Sequence, residues 1–95
     1  MVLHCLAVTH AHPAYADCLA MAGPADTILL LGDGVYNAFA GSDSVKQLAQ
    51  HPARVVLLEP DARAMGLASP TRFPEVDMSG FVELTAACPR QLAWY

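Results

Sequence analysis

Basic side chains are scarce in this chain: five lysines and arginines stand against nine aspartates and glutamates, a net charge of −4. Binding to nucleic acid depends on clustered cations that displace counterions from phosphates. Direct contact with RNA or DNA is therefore not expected, and a basic protein surface is the better match. The deficit is confined to the first half. Asp17, Asp26, Asp33 and Asp43 all precede Lys46, the first cation, whereas Lys46, Arg54, Arg63, Arg72 and Arg90 balance Glu59, Asp61, Glu75, Asp77 and Glu83 beyond it.

Long apolar runs are missing too. Cys5–Val8 and Ile28–Leu31 stop after four residues each, and a membrane-spanning helix needs about 20. No membrane association is expected. The opening Met1–Val8 has no basic leader and carries His4, so it reads as a first strand and not as a signal peptide. A cytoplasmic location follows, where thiols stay reduced. The three cysteines, Cys5, Cys18 and Cys88, form no Cys-x-x-Cys pattern of the redox or zinc type. Ser42, Ser44, Ser69 and Ser79 lack the surroundings of a nucleophile elbow. Internal repeats, linkers and low-complexity segments are absent, and residues 1–95 form one domain.

What the chain does have is apolar mass: 55% of its residues before its six glycines are counted, against roughly 45–50% with glycine included in an average domain. A domain this small leaves much of that surface wet. Part of the excess calls for cover by another subunit, so the chain is expected to be an oligomer.

Runs at Val2–Val8, Thr27–Leu31 and Arg54–Leu58 are separated by segments of helical period, the pattern of βαβ units. Pro13 can open a helix at its first position, with Tyr15, Cys18, Leu19 and Ala22 on one face and Gly23-Pro24 ending it. A short helical piece is expected around Val35–Ala40. Ser42 or Asp43 can cap a helix through Val45, Leu48 and Ala49, and Pro60 or Asp61 can start another that ends at Gly66. Ser69–Pro74 reads as a loop, Val76 and Met78 as a short fourth strand, and Ser79 as the cap of a helix through Phe81, Val82, Leu84 and Thr85. The tail Leu92–Tyr95 suits an edge strand or a contact with a neighbouring subunit. The expected fold is α/β: a three-layer, Rossmann-like α/β/α arrangement around a small, mainly parallel sheet of four to five strands.

The run Thr27–Leu31 ends at Gly32-Asp33-Gly34, where open parallel sheets keep their ligand or partner sites. A dinucleotide fingerprint fails there, because its third glycine would fall at Asn37 and Asp33 would face a pyrophosphate. The plainer reading is a turn that needs positive φ at glycine. His10 and His12 lie two apart, but metal sites need three or four converging ligands. His4 belongs to a strand and His51 to a helix end, so no metal and no cofactor is expected. Cys18 admits two readings: a small buried hydrophobe on the helix stripe, or a reactive thiol, which needs exposure and a lowered pKa.

Several stretches together resemble the TusB/DsrH family of sulfur-relay subunits, a DsrEFH-like group. They are Leu3-His4, Leu29–Tyr36, Pro60-Asp61 to Gly66-Leu67, Gly80–Thr85, Cys88-Pro89 and Gln91–Trp94, and they span nearly the whole length. The resemblance implies a compact α/β/α subunit that assembles with TusC/DsrF-like and TusD/DsrE-like subunits into a heterohexamer. That complex carries sulfur as a cysteine persulfide and passes it to a TusE/DsrC-type acceptor. The expected destination is 2-thiouridine at the tRNA wobble position, with dissimilatory sulfur oxidation as the alternative. The principal thiol is expected on a partner, which makes this chain an accessory subunit; Cys18 is the candidate sulfur-carrying thiol here. Asp33, Gly34, Val35, Tyr36 and Trp94 are the candidate subunit or partner contacts. Where the family commonly shows Ala-Arg-Gly-Leu, this chain has Ala64-Met65-Gly66-Leu67. A stand-alone persulfide carrier and a small nucleotide-binding module are the competing readings.

Overall fold

Three apolar runs become adjacent parallel strands, β1 (Val2–Leu6), β2 (Thr27–Leu30) and β3 (Arg54–Leu58). The computed structural model describes residues 1–67 and 72–95. A two-residue strand β4 (Glu75–Val76) and a C-terminal strand β5 (Arg90–Trp94) complete one all-parallel sheet in the order β4-β3-β2-β1-β5. Among the described residues four α-helices connect the strands: α1 (Pro13–Met21), α2 (Asp43–Gln50), α3 (Glu59–Ala64) and α4 (Met78–Ala87). The expected α/β architecture is the one observed.

Register explains the core. Partners in a parallel pair share a face, so His4, Ile28 and Val55 point one way with Leu6, Leu30 and Leu57. Leu3, Leu29 and Val56 point the other way. The first face is sealed by Tyr15, Cys18 and Ala22 around α1, by Val35 and Ala38, and by Val45 and Leu48 of α2. The second packs Leu3, Leu29, Val56, Leu58 and Cys88 against half-buried Phe81 and Leu84 of α4. Full burial of a leucine is worth about 1.5–3 kcal/mol, and Leu3, Leu6, Leu29, Leu30 and Leu57 are all fully buried.

Local chemistry sets the helix starts. Pro13 opens α1, and His12 caps it by accepting the Ala14 N–H on Nδ1 at 3.0 Å. Ser42 caps α2 by accepting the Val45 N–H at 3.3 Å. The cap of α4 is Asp77, whose carboxylate accepts the Gly80 N–H at 2.8 Å. Ser79 is therefore inside the helix and not its cap, and Met78 is the first helical residue and not part of the fourth strand. An aspartate just ahead satisfies the free N–H groups of the first turn and starts the helix earlier. Of the loop expected over Ser69–Pro74, Ser69 to Thr71 lie outside the described residues.

After β2, residues Gly32–Ala38 form a 3-10 segment that begins earlier than the helical piece expected around Val35. Its two glycines serve different needs. Gly32 has φ of +53°, while a Cβ on Gly34 would lie 2.0 Å from the carbonyl oxygen of Leu6. The first needs left-handed backbone and the second needs close approach to β1. Val8, expected within the first strand, lies beyond it: its carbonyl accepts the Asn37 side-chain amide at 2.9 Å.

Candidate functional site

The turn after β2 sits at the C-terminal end of the sheet. Asp33 is exposed, but Gly34 and Val35 are buried against β1 and the first-face core. Of the turn residues expected to meet a partner, Asp33 and Tyr36 are the ones with surface to offer. Tyr36 is 40% exposed and Phe39 37% exposed, and their rings meet edge to face with centroids 5.2 Å apart. Phe39 is an addition that the sequence did not single out. Its signal was present: in a 3-10 segment, residues three apart eclipse one another.

The same segment is a poor phosphate cradle. The Gly32 N–H, which an anion would need, already donates to the Asp61 carboxylate at 2.7 Å. Asn37, where the dinucleotide fingerprint wants glycine, is fully buried. Its Oδ1 accepts the His10 N–H at 3.0 Å, its Nδ2 donates to the Val8 carbonyl, and its own carbonyl accepts the Ser44 hydroxyl at 3.1 Å. Asn37 thereby ties the β1–α1 loop to the aromatic pair. Both findings weigh against nucleotide binding at this turn.

Cys18 is fully buried on α1. Burial, with a smaller effect from Cys5, pushes its thiol pKa up to about 12. Burial thus withholds the thiolate, the form that attacks sulfur. Cys5, half-buried on β1, is raised as well by burial, and Cys88 is buried. Of the two readings of Cys18, the geometry of this chain favours packing. Among the described residues no group of three possible metal ligands converges. His12 spends its Nδ1 on the α1 cap, and the His10 ring lies edge-on to Tyr15, with centroids 6.4 Å apart.

A polar chain that the sequence did not reveal lies inside the first face. His4 is fully buried, with Nε2 3.1 Å from Asp26 Oδ2. The Trp94 indole, which can only donate, gives its N–H to His4 Nδ1 at 3.1 Å. Nε2 therefore carries the proton and donates to Asp26. Asp26 also accepts the N–H groups of Gly23 and Val2, each at 2.9 Å. The Gly23 N–H first, then His4 and Val2, hold its carboxyl down at about 2. Trp94, expected at a subunit contact, is half-buried and held within the chain by this bond. The residues involved lie 22 and 90 positions apart, so no local motif could show them. Among the described residues no nucleophile is hydrogen-bonded to His4, and the arrangement serves to hold β5, β1 and the approach to β2 together.

These features define a small parallel α/β protein, and known structures share its fold. The solution structure of Protein Tm0979 from Thermotoga maritima superposes with a TM-score of 0.71 at 24% identity, covering 92% of this chain and 93% of that one. The crystal structure of the ychN protein from E. coli gives 0.76 at 13% identity, covering 98% and 97%.

Sequence narrows the class further. The family model described as DsrH like protein matches residues 10–91. Protein TusB of Pectobacterium parmentieri is 33% identical over 95 residues, 98% of this chain and all of that protein. Protein TusB of Klebsiella pneumoniae (strain 342) is 36% identical with the same coverage. The chain belongs to the DsrH-like family, alongside the TusB proteins. No helix among the described residues is long and apolar enough to cross a membrane.

Proposed function

We propose that this chain is an accessory subunit of a sulfur-relay complex that delivers persulfide sulfur for 2-thiolation of the tRNA wobble uridine. The full-length relationship to TusB proteins carries the reading. In such a relay the thiolate of an acceptor cysteine attacks the outer sulfur of a donor persulfide. A new S–S bond forms to the acceptor, the donor S–S bond breaks, and the electron pair leaves on the donor thiolate. The acceptor is of the TusE/DsrC type. Neither cysteine of that exchange needs to come from this chain: Cys18 is buried and protonated, so the carrier thiol belongs to a TusD/DsrE-like partner, with a TusC/DsrF-like subunit as the third member.

The role left to this chain is docking. The exposed Tyr36–Phe39 pair, with the carboxylates of Asp33 and Asp43 nearby in sequence, suits a partner surface that combines apolar side chains with basic ones. Co-expression with the two companion subunits is expected to give one heteromeric peak on size exclusion, and Tyr36→Ser with Phe39→Ser is expected to release this chain from it. Cys18→Ala is expected to leave sulfur transfer by the assembled complex at the wild-type rate. A persulfide found by mass spectrometry on Cys18, together with loss of transfer in Cys18→Ala, would reassign the chain as a carrier in its own right.

A further inference from the structure

The two edges of the sheet are built differently. β4 has only Glu75 and Val76, placed between Pro74 and Asp77. Short length, a flanking proline and acidic side chains are the devices that keep an edge from recruiting another strand. β5 shares only the flanking proline, Pro89: it has five residues, and neither a proline nor an acid among them. Leu92 and the following Tyr95 are exposed.

The free backbone groups can be placed. The Trp94 carbonyl accepts the Ala7 N–H at 3.0 Å, and β5 is the last strand of the sheet on that side. Alternation along a strand then turns the N–H and C=O of Leu92 and Trp94 towards β1 and those of Gln91 and Ala93 away from it.

We infer that this edge pairs antiparallel with the same edge of a second copy of the chain, about a two-fold axis at Ala93, joining two sheets into one. In that register Ala93 faces its symmetry mate, Gln91 lies opposite Tyr95 on one face, and Leu92 lies opposite Trp94 on the other. Pairs of an aliphatic with an aromatic side chain are favourable across strands. The only charged side chain of the strand, Arg90, falls at opposite ends of the ribbon, so no like charges meet. A second copy is the fitting occupant because head-to-tail growth would need β4, whose edge is blunted. Pairing through β5 twice closes on itself and leaves no open template. This contact uses neither the aromatic pair nor any thiol, and it stands apart from the sulfur-relay reading.

Ala93→Pro tests it, since it deletes an outward N–H and no hydrogen bond within the chain. Sedimentation of the isolated full chain is expected to show a dimer. Ala93→Pro is expected to weaken that dimer by about tenfold or more, roughly the loss of 1.4 kcal/mol, with an unchanged far-UV spectrum. The Ala93 amide should exchange slowly in the dimer and fast on dilution, while the Leu92 amide stays slow in both. If the proline variant does not fold, Ala93→Lys keeps every backbone bond and sets like charges across the axis, and must also dissociate the dimer. A monomeric wild-type chain overturns the inference, as does a variant dimer as tight as the wild type. Protection of the Ala93 amide only in the presence of a different protein overturns it in favour of that protein's strand.

Discussion

The two faces of the sheet differ in how completely they are closed. On the first, α1, the 3-10 segment and α2 bury Leu6, Leu30, Leu57, Val35 and Leu48 almost fully, and the His4–Asp26–Trp94 chain satisfies the polar groups among them. On the second, α4 lies over the sheet without one fully buried residue, and Val82 on it is 61% exposed. The helix on that side is as apolar as a core helix but is used as a lid. Both faces bury leucines completely, but the second also keeps apolar side chains of α4 at the surface.

The sharpest way to test that division is to cut into both faces. Leu30→Ala, at a fully buried site of the first face, is expected to lower unfolding stability by about 2–5 kcal/mol in denaturant titrations. An effect as small as that of a surface change would mean that this face is not the better closed of the two. Asn37→Ala should come next, at about 1–3 kcal/mol, because it leaves the buried Val8 carbonyl and the His10 N–H without their partner. It should also shift the near-UV signal of the Tyr36–Phe39 pair.

The third test uses pH. Asp26 sits at about 2 when folded against 3.8 unperturbed, so the unfolded chain binds the proton more readily. The stability that this carboxylate contributes is complete above the unperturbed value and is lost as pH falls through about 2. Asp26→Asn should flatten the acid limb of the stability profile in that window; an unchanged limb would show that the first face does not depend on this network. The smallest effect is expected at Val82→Ala, within about 0.5 kcal/mol, and a larger loss would show that α4 is better packed than its exposure indicates.

How much of this was legible depended on the distance over which each feature acts. β2 and β3 were readable because strands covered on both sides are continuous apolar runs, and α1 because Pro13 and the Tyr15–Ala22 stripe are local signals. β4 was misplaced because two residues carry no periodicity, and α4 started earlier than expected because Asp77, and not Ser79, met its N–H groups. In the turn after β2, the need for glycine was visible, but the inward orientation of Gly34 and Val35 was not, since it follows from packing on β1. Asn37 was noticed only as a glycine that failed to appear. Its part as a clamp, like that of the buried histidine, is set by partners 27 to 29 residues away.

The indole-to-imidazole bond has a consequence for synthesis of the chain. β1 is translated well before β5, yet the two are neighbours in the sheet, and the bond that seals them spans 90 positions. A nascent chain can assemble β1, β2 and β3 as they emerge, but one flank of β1 stays bare and His4 stays without its indole donor until Trp94 leaves the ribosome. Final closure waits for β5, and a chain lacking Arg90–Trp94 would keep a sheet with a greasy, unpaired margin at β1.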